Sequence, residues 1–226
     1  MKLFRKRDYI TFGFILLYST IAIVVFTYII QPEVTALPKI QPCDVDSKLV
    51  DSSIAHICKY HKIPDFKLTN QNGKEITAKD YENKIYIADF FFTTCPGICP
   101  IMTENMNLLQ KEFKNDNEIK LLSHTVNPEI DSVEQLKRYA IEKKVNDEKW
   151  NLVTGSRKQI YDLARKSYLV GMDSKFGLDA IMHTQNFVLV DKEKNIRGIY
   201  DGTSSMSIDS LINDIKFLKK EYNKEN

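Results

Sequence analysis

The sequence predicts an α/β fold in which helices flank a central mixed sheet, preceded by an N-terminal transmembrane helix. Apolar β-like runs alternate with amphipathic helical patterns, an order that is typical of a mostly parallel sheet. The run from Ile85 to Phe92 is almost continuously apolar, as expected for a strand that is buried on both faces. The uncharged stretch from Tyr9 to Ile30 is long enough to cross a bilayer as a helix.

The bulk composition is that of an ordinary globular protein. Of the 226 residues, 43% are hydrophobic and 27% are charged, and the formal net charge is +2. A nucleic-acid-binding domain carries a basic stripe, and this sequence has none. We therefore expect no nucleic-acid partner.

The first 59 residues predict a membrane anchor followed by a tether. Residues 1–8 contain four basic residues and one acid, so they are expected to stay in the cytoplasm and leave the rest on the periplasmic side. Residues 9–30 would span ~33 Å as a helix. A cleaved signal peptide is the alternative, but its apolar core is normally about 7–15 residues long. Residues 31–59 are polar and punctuated by prolines, as in a tether.

Residues 60–226 predict three strand–helix units followed by a hairpin and a last helix. The four-residue patterns Asp131–Glu134 and Ser156–Gln159 each resemble a capping box, and Pro100 suits the first turn of a helix. The predicted strands are residues 65–68, 85–92, 119–126, 150–153, 184–190 and 196–200. The predicted helices begin at Pro100, Ser132, Ser156 and Ser207.

Two cysteines, Cys95 and Cys99, follow the central strand and precede a helix. Four-residue spacing places two side chains one turn apart on one helical face, with Cα atoms ~6.2 Å apart. That distance allows a disulfide. In this α/β frame, a dithiol at the start of a helix predicts the thioredoxin-like arrangement. A structural disulfide, thiol–disulfide exchange and metal ligation all remain open uses of the pair.

A selective metal site needs a third ligand, and the sequence offers four histidines. His56 and His61 lie in or near the tether, where solvated side chains are expected. His124 lies in the middle of a predicted strand, which favours a hydrogen-bonded core residue. His183 follows a long irregular loop, Gly171 to Met182, and directly precedes a strand. It is a candidate ligand because functional residues concentrate in loops beside a rigid sheet.

The segments Phe91–Pro100 and His183–Asp191 together resemble the Sco/SenC family, from about residue 60 to the C-terminus. The resemblance implies a thioredoxin-like copper protein that helps to assemble the dinuclear copper centre of cytochrome c oxidase subunit II. It implies that Cys95, Cys99 and His183 bind one copper ion, in a metallochaperone rather than an enzyme. The expected partners are subunit II, or a similar copper recipient, and an extracytoplasmic thiol reductant.

A second function uses the same two thiols. The chain could be an extracytoplasmic thiol–disulfide oxidoreductase that reduces the cysteines of the copper recipient, with a redox-active disulfide between Cys95 and Cys99. Copper ligation requires His183, whereas disulfide exchange does not. His183 therefore distinguishes the two functions.

Several other residues near the motif carry expectations of their own. Family members usually have an Asp-Pro pair where this chain has Asn127-Pro128, with Glu129 and Asp131 nearby. This departure removes the usual carboxylate. Asp89, inside the apolar strand, is either a buried acid that tunes the thiol pKa values or a hydrogen-bonded structural residue.

Four other sulfur-containing residues also carry expectations. Cys43 and Cys58 could form a disulfide, remain free or contribute to a second metal site, and the predicted oxidising compartment favours the disulfide. Met102 and Met106 recur at helical spacing and are expected to pack in the core rather than to bind copper.

Overall fold

The computed structural model describes residues 6–29, 36–171 and 184–225. The chain divides into two compact units, residues 1–35 and residues 36–226. The first unit contains one helix, α1, Lys6–Ile29. Among the described residues, no helix combines the length and the apolar character that crossing a membrane requires.

The described part of the second unit contains a seven-stranded mixed sheet flanked by helices, so the predicted α/β fold is confirmed. Its strands are β1 Lys67–Asn70, β2 Glu75–Thr77, β3 Ile85–Phe91, β4 Ile119–Thr125, β5 Trp150–Thr154, β6 Asn186–Val190 and β7 Ile196–Asp201. Its α-helices are α2 Cys99–Glu112, α3 Val133–Glu142, α4 Arg157–Asp162 and α5 Ser205–Glu225. The strand order across the sheet is β2-β1-β5-β4-β3-β6-β7.

The parallel strands β3, β4 and β5 form the middle of the sheet. Ile85 pairs with Ile119 at the start of β3, and Phe91 pairs with Thr125 at its end. β6 runs antiparallel to β3, with Ala88 opposite Val188. Every residue of β3 is buried, as the continuous apolar run predicts. The carboxyl ends of the three parallel strands therefore lie at the same end of the sheet, and α2 begins there.

Two of the predicted helix caps are present. The side chain of Ser132 accepts a hydrogen bond from the Gln135 amide, and that of Ser156 accepts one from the Gln159 amide, both at 3.3 Å. These bonds satisfy amides that the first turn of a helix leaves without partners.

The predicted start of the last helix at Ser207 is wrong. α5 begins at Ser205, and the Ser204 hydroxyl accepts a hydrogen bond from the Ser207 amide at 3.4 Å. The Ser207 hydroxyl instead accepts one from the Asp201 amide at 3.3 Å. Asp201 also closes the preceding turn by accepting from the Thr203 amide. The chain therefore enters the helix earlier than the spacing of apolar residues indicates.

Much of the segment predicted to be a tether lies against the sheet domain from Ala36 onwards. The Ile40 amide donates to the Ile196 carbonyl at 2.8 Å, and the Ile63 amide donates to the Lys194 carbonyl at 2.9 Å. Val50 is buried in the hydrophobic core. Within this segment Cys43 and Cys58 form a disulfide, which was the favoured alternative for these two residues.

A buried arginine joins three parts of the domain. The Arg197 guanidinium donates to Asp191 at 3.0 Å and to Glu221, near the end of α5, at 2.7 Å. It also donates to the carbonyl oxygens of Leu37 and Pro38, at 2.7 and 3.2 Å. The side chains of Arg197 and Asp191 are 1% and 0% exposed, so this charge pair is shielded from water. It connects the segment at residues 37–38 to the β6–β7 hairpin and to α5.

We predict that Arg197→Ala lowers the free energy of unfolding by about 3–5 kcal/mol, because the buried Asp191 carboxylate loses its main charged partner. Arg157→Ala is the control, since it removes a surface pair with Glu129 whose loss costs about 1 kcal/mol or less. Urea unfolding of the full chain, followed by fluorescence of Trp150, measures both values. Equal losses in the two variants would contradict the role assigned to Arg197.

Candidate metal centre

The two cysteines of the motif lie at the carboxyl end of β3. Cys99 is the first residue of α2, and Pro100 follows it in the first turn, where a missing amide hydrogen costs nothing. Cys95 lies in the loop between β3 and α2, so it does not share a helical turn with Cys99, in contrast to the prediction. The physical reason is Pro96, because a proline disfavours helical backbone at the residue before it.

Hydrogen bonds converge on the Cys95 sulfur. Cys95 is partly exposed and Cys99 is buried, and both are free thiols. Partial burial acts most strongly on Cys95 and would raise its pKa. Hydrogen bonds from the Cys99 thiol and from the amides of Cys99, Gly97 and Ile98 outweigh this effect and hold the pKa of Cys95 below its usual value. Amides at the start of a helix stabilise a thiolate in this way.

The Cys99 thiol has the opposite environment. Burial raises the pKa of Cys99 to about 12, and the hydrogen bond to Cys95 and the nearby Cys95 and Asp89 charges act in the same direction. The proton of the pair is therefore held on the buried sulfur, while the negative charge is favoured on the partly exposed one. The site therefore combines a partly exposed thiol that ionises more readily with a buried thiol that holds its proton.

A buried carboxylate, Asp131, fixes the loop that carries Cys95. The Thr93 amide and hydroxyl donate to the two Asp131 oxygens at 3.1 and 2.6 Å. Thr125, at the end of β4, donates its hydroxyl to the same carboxylate. The Gln135 side chain in α3 donates to the Thr93 hydroxyl at 3.0 Å. Asp131 is 0% exposed, so these bonds are shielded from water and tie the loop to β4 and α3.

Asn127, which replaces the usual acid, shapes the turn that presents Asp131. The Asn127 carbonyl accepts hydrogen bonds from the Ile130 and Asp131 amides at 3.1 and 2.9 Å. Its own amide donates to the Thr125 hydroxyl at 3.0 Å. The sequence indicated Asp131 as a neighbour of Asn127 and as the first residue of a capping box, but Ser132 caps α3 and Asp131 binds the loop instead. Thr93 beside the dithiol was the signal that could have identified it, because a buried carboxylate needs such donors.

Asp89 lies beneath the dithiol in the middle of β3. Burial raises the pKa of Asp89 to about 7, and a hydrogen bond to Ser123 partly offsets this effect. The Trp150 indole donates to the same Ser123 hydroxyl at 2.8 Å. Asp89 is also one of the charges that raise the pKa of Cys99. Both proposed roles therefore apply, since this acid is hydrogen-bonded and also acts on the thiols.

His124 is a core residue, as predicted, whereas His61 differs from the prediction. The His124 ring is fully buried and stacks on Phe90 with ring centroids 4.7 Å apart. Burial lowers the pKa of His124 to about 4, so the ring is neutral at physiological pH. His61 was expected to be solvated, but its Nε2 atom lies 2.8 Å from the Ser167 carbonyl oxygen.

The third predicted ligand, His183, lies outside the described residues, as do residues 172–182. β6 begins three residues later at Asn186, and because it is antiparallel to β3, it starts near the edge where β3 ends. In the described part of the chain, no group of three or more His, Cys, Asp or Glu side chains could hold a metal ion. Met102 and Met106 are fully buried in the core, as predicted.

Comparison with known sequences identifies the family. The sequence model described as SCO1/SenC matches residues 55–220. A SCO1 protein homolog of Bacillus subtilis is 32% identical over 158 residues, which cover 69% of this chain and 82% of that protein.

Solved structures are similar over the same region. BsSco, described as a member of the Sco family of cytochrome c oxidase assembly proteins with a disulfide switch, superposes with a TM-score of 0.60. It is 31% identical, and the match covers 70% of this chain and 93% of BsSco. ScoI of Arabidopsis thaliana with copper bound has a TM-score of 0.55 and 28% identity, with 70% and 98% of the two chains covered. Because the family model matches most of the chain and the relatives share its fold, this protein belongs to the SCO1/SenC family.

Proposed function

We propose that the chain is a membrane-anchored copper metallochaperone that binds one copper ion through Cys95, Cys99 and His183. It delivers this ion for assembly of the copper centre of cytochrome c oxidase subunit II or a similar recipient. The observation that carries the proposal is the pair of free, hydrogen-bonded sulfurs at the carboxyl end of β3. The copper-bound Arabidopsis relative and the assembly role stated for BsSco support it.

The donor set suits copper in its reduced form. Thiolates are soft ligands that favour Cu(I), and imidazole is a suitable third donor. The pKa of Cys95 is lowered, which eases its ionisation, whereas Cys99 must lose a tightly held proton when the ion binds, because metals bind the deprotonated sulfur. Three protein ligands leave room for a ligand from the recipient to approach the ion and take it over.

The proposed topology places residues 1–8 in the cytoplasm, residues 9–30 in the membrane and the copper site on the periplasmic side. The basic residues before the apolar stretch support this orientation. The Cys43–Cys58 disulfide supports an oxidising compartment. In such a compartment the Cys95–Cys99 pair would be oxidised over time, so an extracytoplasmic thiol reductant is a necessary partner.

We predict that the reduced full chain binds one equivalent of Cu(I) and that His183→Ala weakens binding at least tenfold, a change of about 1.4 kcal/mol. His56→Ala is the matched control, since His56 is exposed and far from the motif in sequence, and it should leave the affinity unchanged. Anaerobic competition with a Cu(I) chelator measures all three. A stoichiometry near zero, or equal affinities for the two variants, would refute the copper site.

A second function, thiol–disulfide exchange, is favoured by the asymmetry between the two thiols. The Cys95 thiolate would attack a disulfide of the copper recipient, forming a mixed disulfide and releasing one thiolate. Cys99 would then attack Cys95, which releases the second thiol and leaves a Cys95–Cys99 disulfide. The recipient gains two electrons from the sulfur pair, and its two thiolates take up the proton that Cys99 loses and one further proton from water. The partly exposed thiolate and the buried thiol suit these two steps in this order.

We predict that iodoacetamide modifies Cys95 at least tenfold faster than Cys99 at pH 7, because only the exposed sulfur has a lowered pKa. Between pH 6 and pH 9 the Cys95 rate should rise with thiolate formation and level off, whereas Cys99 should stay slow throughout. Peptide mass spectrometry of the reduced full chain after timed quenching measures both rates. Equal rates, or faster reaction at Cys99, would contradict the assigned order of attack.

We also predict that Thr93→Val lowers the Cu(I) affinity severalfold, because the loop carrying Cys95 loses hydrogen bonds to Asp131 and Gln135. Thr103→Val is the matched control, since its buried hydroxyl bonds instead to Tyr139 at 2.8 Å. Both variants should lose about 1 kcal/mol of unfolding free energy. Equal effects on copper affinity would show that the loop contact has no special role.

A further inference from the structure

A polar pocket of about 470 Å³ lies at the amino ends of β4 and β5. The dithiol lies at the opposite, carboxyl end of the parallel strands. The β1–β2 turn, the loop after α2 and the loop before β5 form its walls. Four lysines line it: Lys74, Lys114, Lys120 and Lys149. Four positively charged side chains are therefore concentrated at one concave surface.

None of the four lysines is paired with a carboxylate in the described part of the chain. Lys149 is 4% exposed, and its ammonium group donates only to the carbonyl oxygens of Asp116 and Ile119. The Lys120 ammonium donates to the Glu148 carbonyl oxygen. Since an ammonium group has three donors, both groups retain hydrogen-bonding capacity for a ligand.

The pocket's own carboxylates do not neutralise these charges. Asp147 forms a salt bridge with Lys137 at 3.0 Å. Asp80 accepts a hydrogen bond from the Thr77 amide at 2.8 Å, but this neutral donor leaves its negative charge in place. Glu148 is the remaining acid of the lining. Four lysines therefore face two carboxylates that form no salt bridge among the described residues, which leaves an excess of positive charge in the pocket.

The electrostatic effects on the lysines agree with this imbalance. Burial and then the charge of Lys84 lower the pKa of Lys120. Burial and then the charge of Lys120 lower the pKa of Lys149, the Asp116 charge partly offsets this, and Lys219 and Lys84 add to the lowering. Neighbouring lysines therefore repel both Lys120 and Lys149, although Glu148 partly offsets the effect at Lys120. An anion in the pocket would relieve this repulsion and replace part of the water that burial removes.

We propose that this pocket binds a phosphate group that carries two negative charges, held by Lys74, Lys114, Lys120 and Lys149. Lysine ammonium groups bind phosphate as point charges without a fixed geometry, which suits exposed side chains such as Lys74 and Lys114. The site is separate from the dithiol, so it does not depend on the proposed copper function. A lipid headgroup and free phosphate carry the same charged group, and the experiments below distinguish these two sources.

The test is calorimetric titration of the full chain, in a non-ionic detergent at low ionic strength, with inorganic phosphate. The pocket variant is Lys74→Gln, Lys114→Gln and Lys120→Gln combined, which leaves the buried Lys149 in place. The control variant is Lys48→Gln, Lys59→Gln and Lys62→Gln combined, which removes the same charge from exposed lysines elsewhere. We expect one saturable site that the pocket variant weakens at least tenfold and the control variant weakens less than twofold.

A second titration identifies the source of the phosphate group. Short-chain phosphatidic acid is compared with short-chain phosphatidylcholine, whose headgroup carries no net charge. Tighter binding of phosphatidic acid than of inorganic phosphate would assign the site to a lipid headgroup, and the reverse would assign it to a soluble anion. Absence of binding by both anions, or equal weakening in the two triple variants, would overturn the proposal.

Discussion

Burial of β3 on both faces is the constraint on which the rest of the structure depends. A strand with no polar side to expose must lie inside a sheet and be covered by helices above and below. Its neighbours β4 and β6 satisfy its backbone, and its carboxyl end then opens at the edge of the sheet. In open α/β sheets this edge is where functional groups collect, and the dithiol lies there.

The site also needs a loop of defined shape, and a buried polar network supplies it. Asp131 accepts hydrogen bonds from Thr93 on the loop and from Thr125 on β4. In a region shielded from water such bonds are costly to break, because each partner would be left unsatisfied. The loop can therefore present the Cys95 sulfur to a metal or to a disulfide while Cys99 stays beneath it. Asn127 contributes to this network as the residue that closes the turn, and Asp131 supplies the local carboxylate.

The carboxyl ends and the amino ends of the parallel strands carry different functional groups. At the carboxyl ends of these strands lie two free thiols with different pKa values and the buried acid Asp89. At the opposite edge, lysines concentrate around the pocket, and Arg197 holds residues 37–38 against the hairpin and α5. The segment that begins at residue 36 also contains the Cys43–Cys58 disulfide. The dithiol and the lysine pocket lie at opposite ends of the parallel strands.

The sequence by itself determined the α/β order, the buried central strand, two of the helix caps and the position of the dithiol, because periodicity and capping are local signals. The core roles of His124, Met102 and Met106 followed from the same periodicity. The sequence did not determine that Cys95 lies outside the helix, that His61 bonds to Ser167, or that α5 starts before Ser207. Only the tertiary structure decided the division of the proton between Cys95 and Cys99, the function of Asp131 and the gathering of lysines at one edge. These features depend on burial and on contacts between residues far apart in the chain, which no local pattern records.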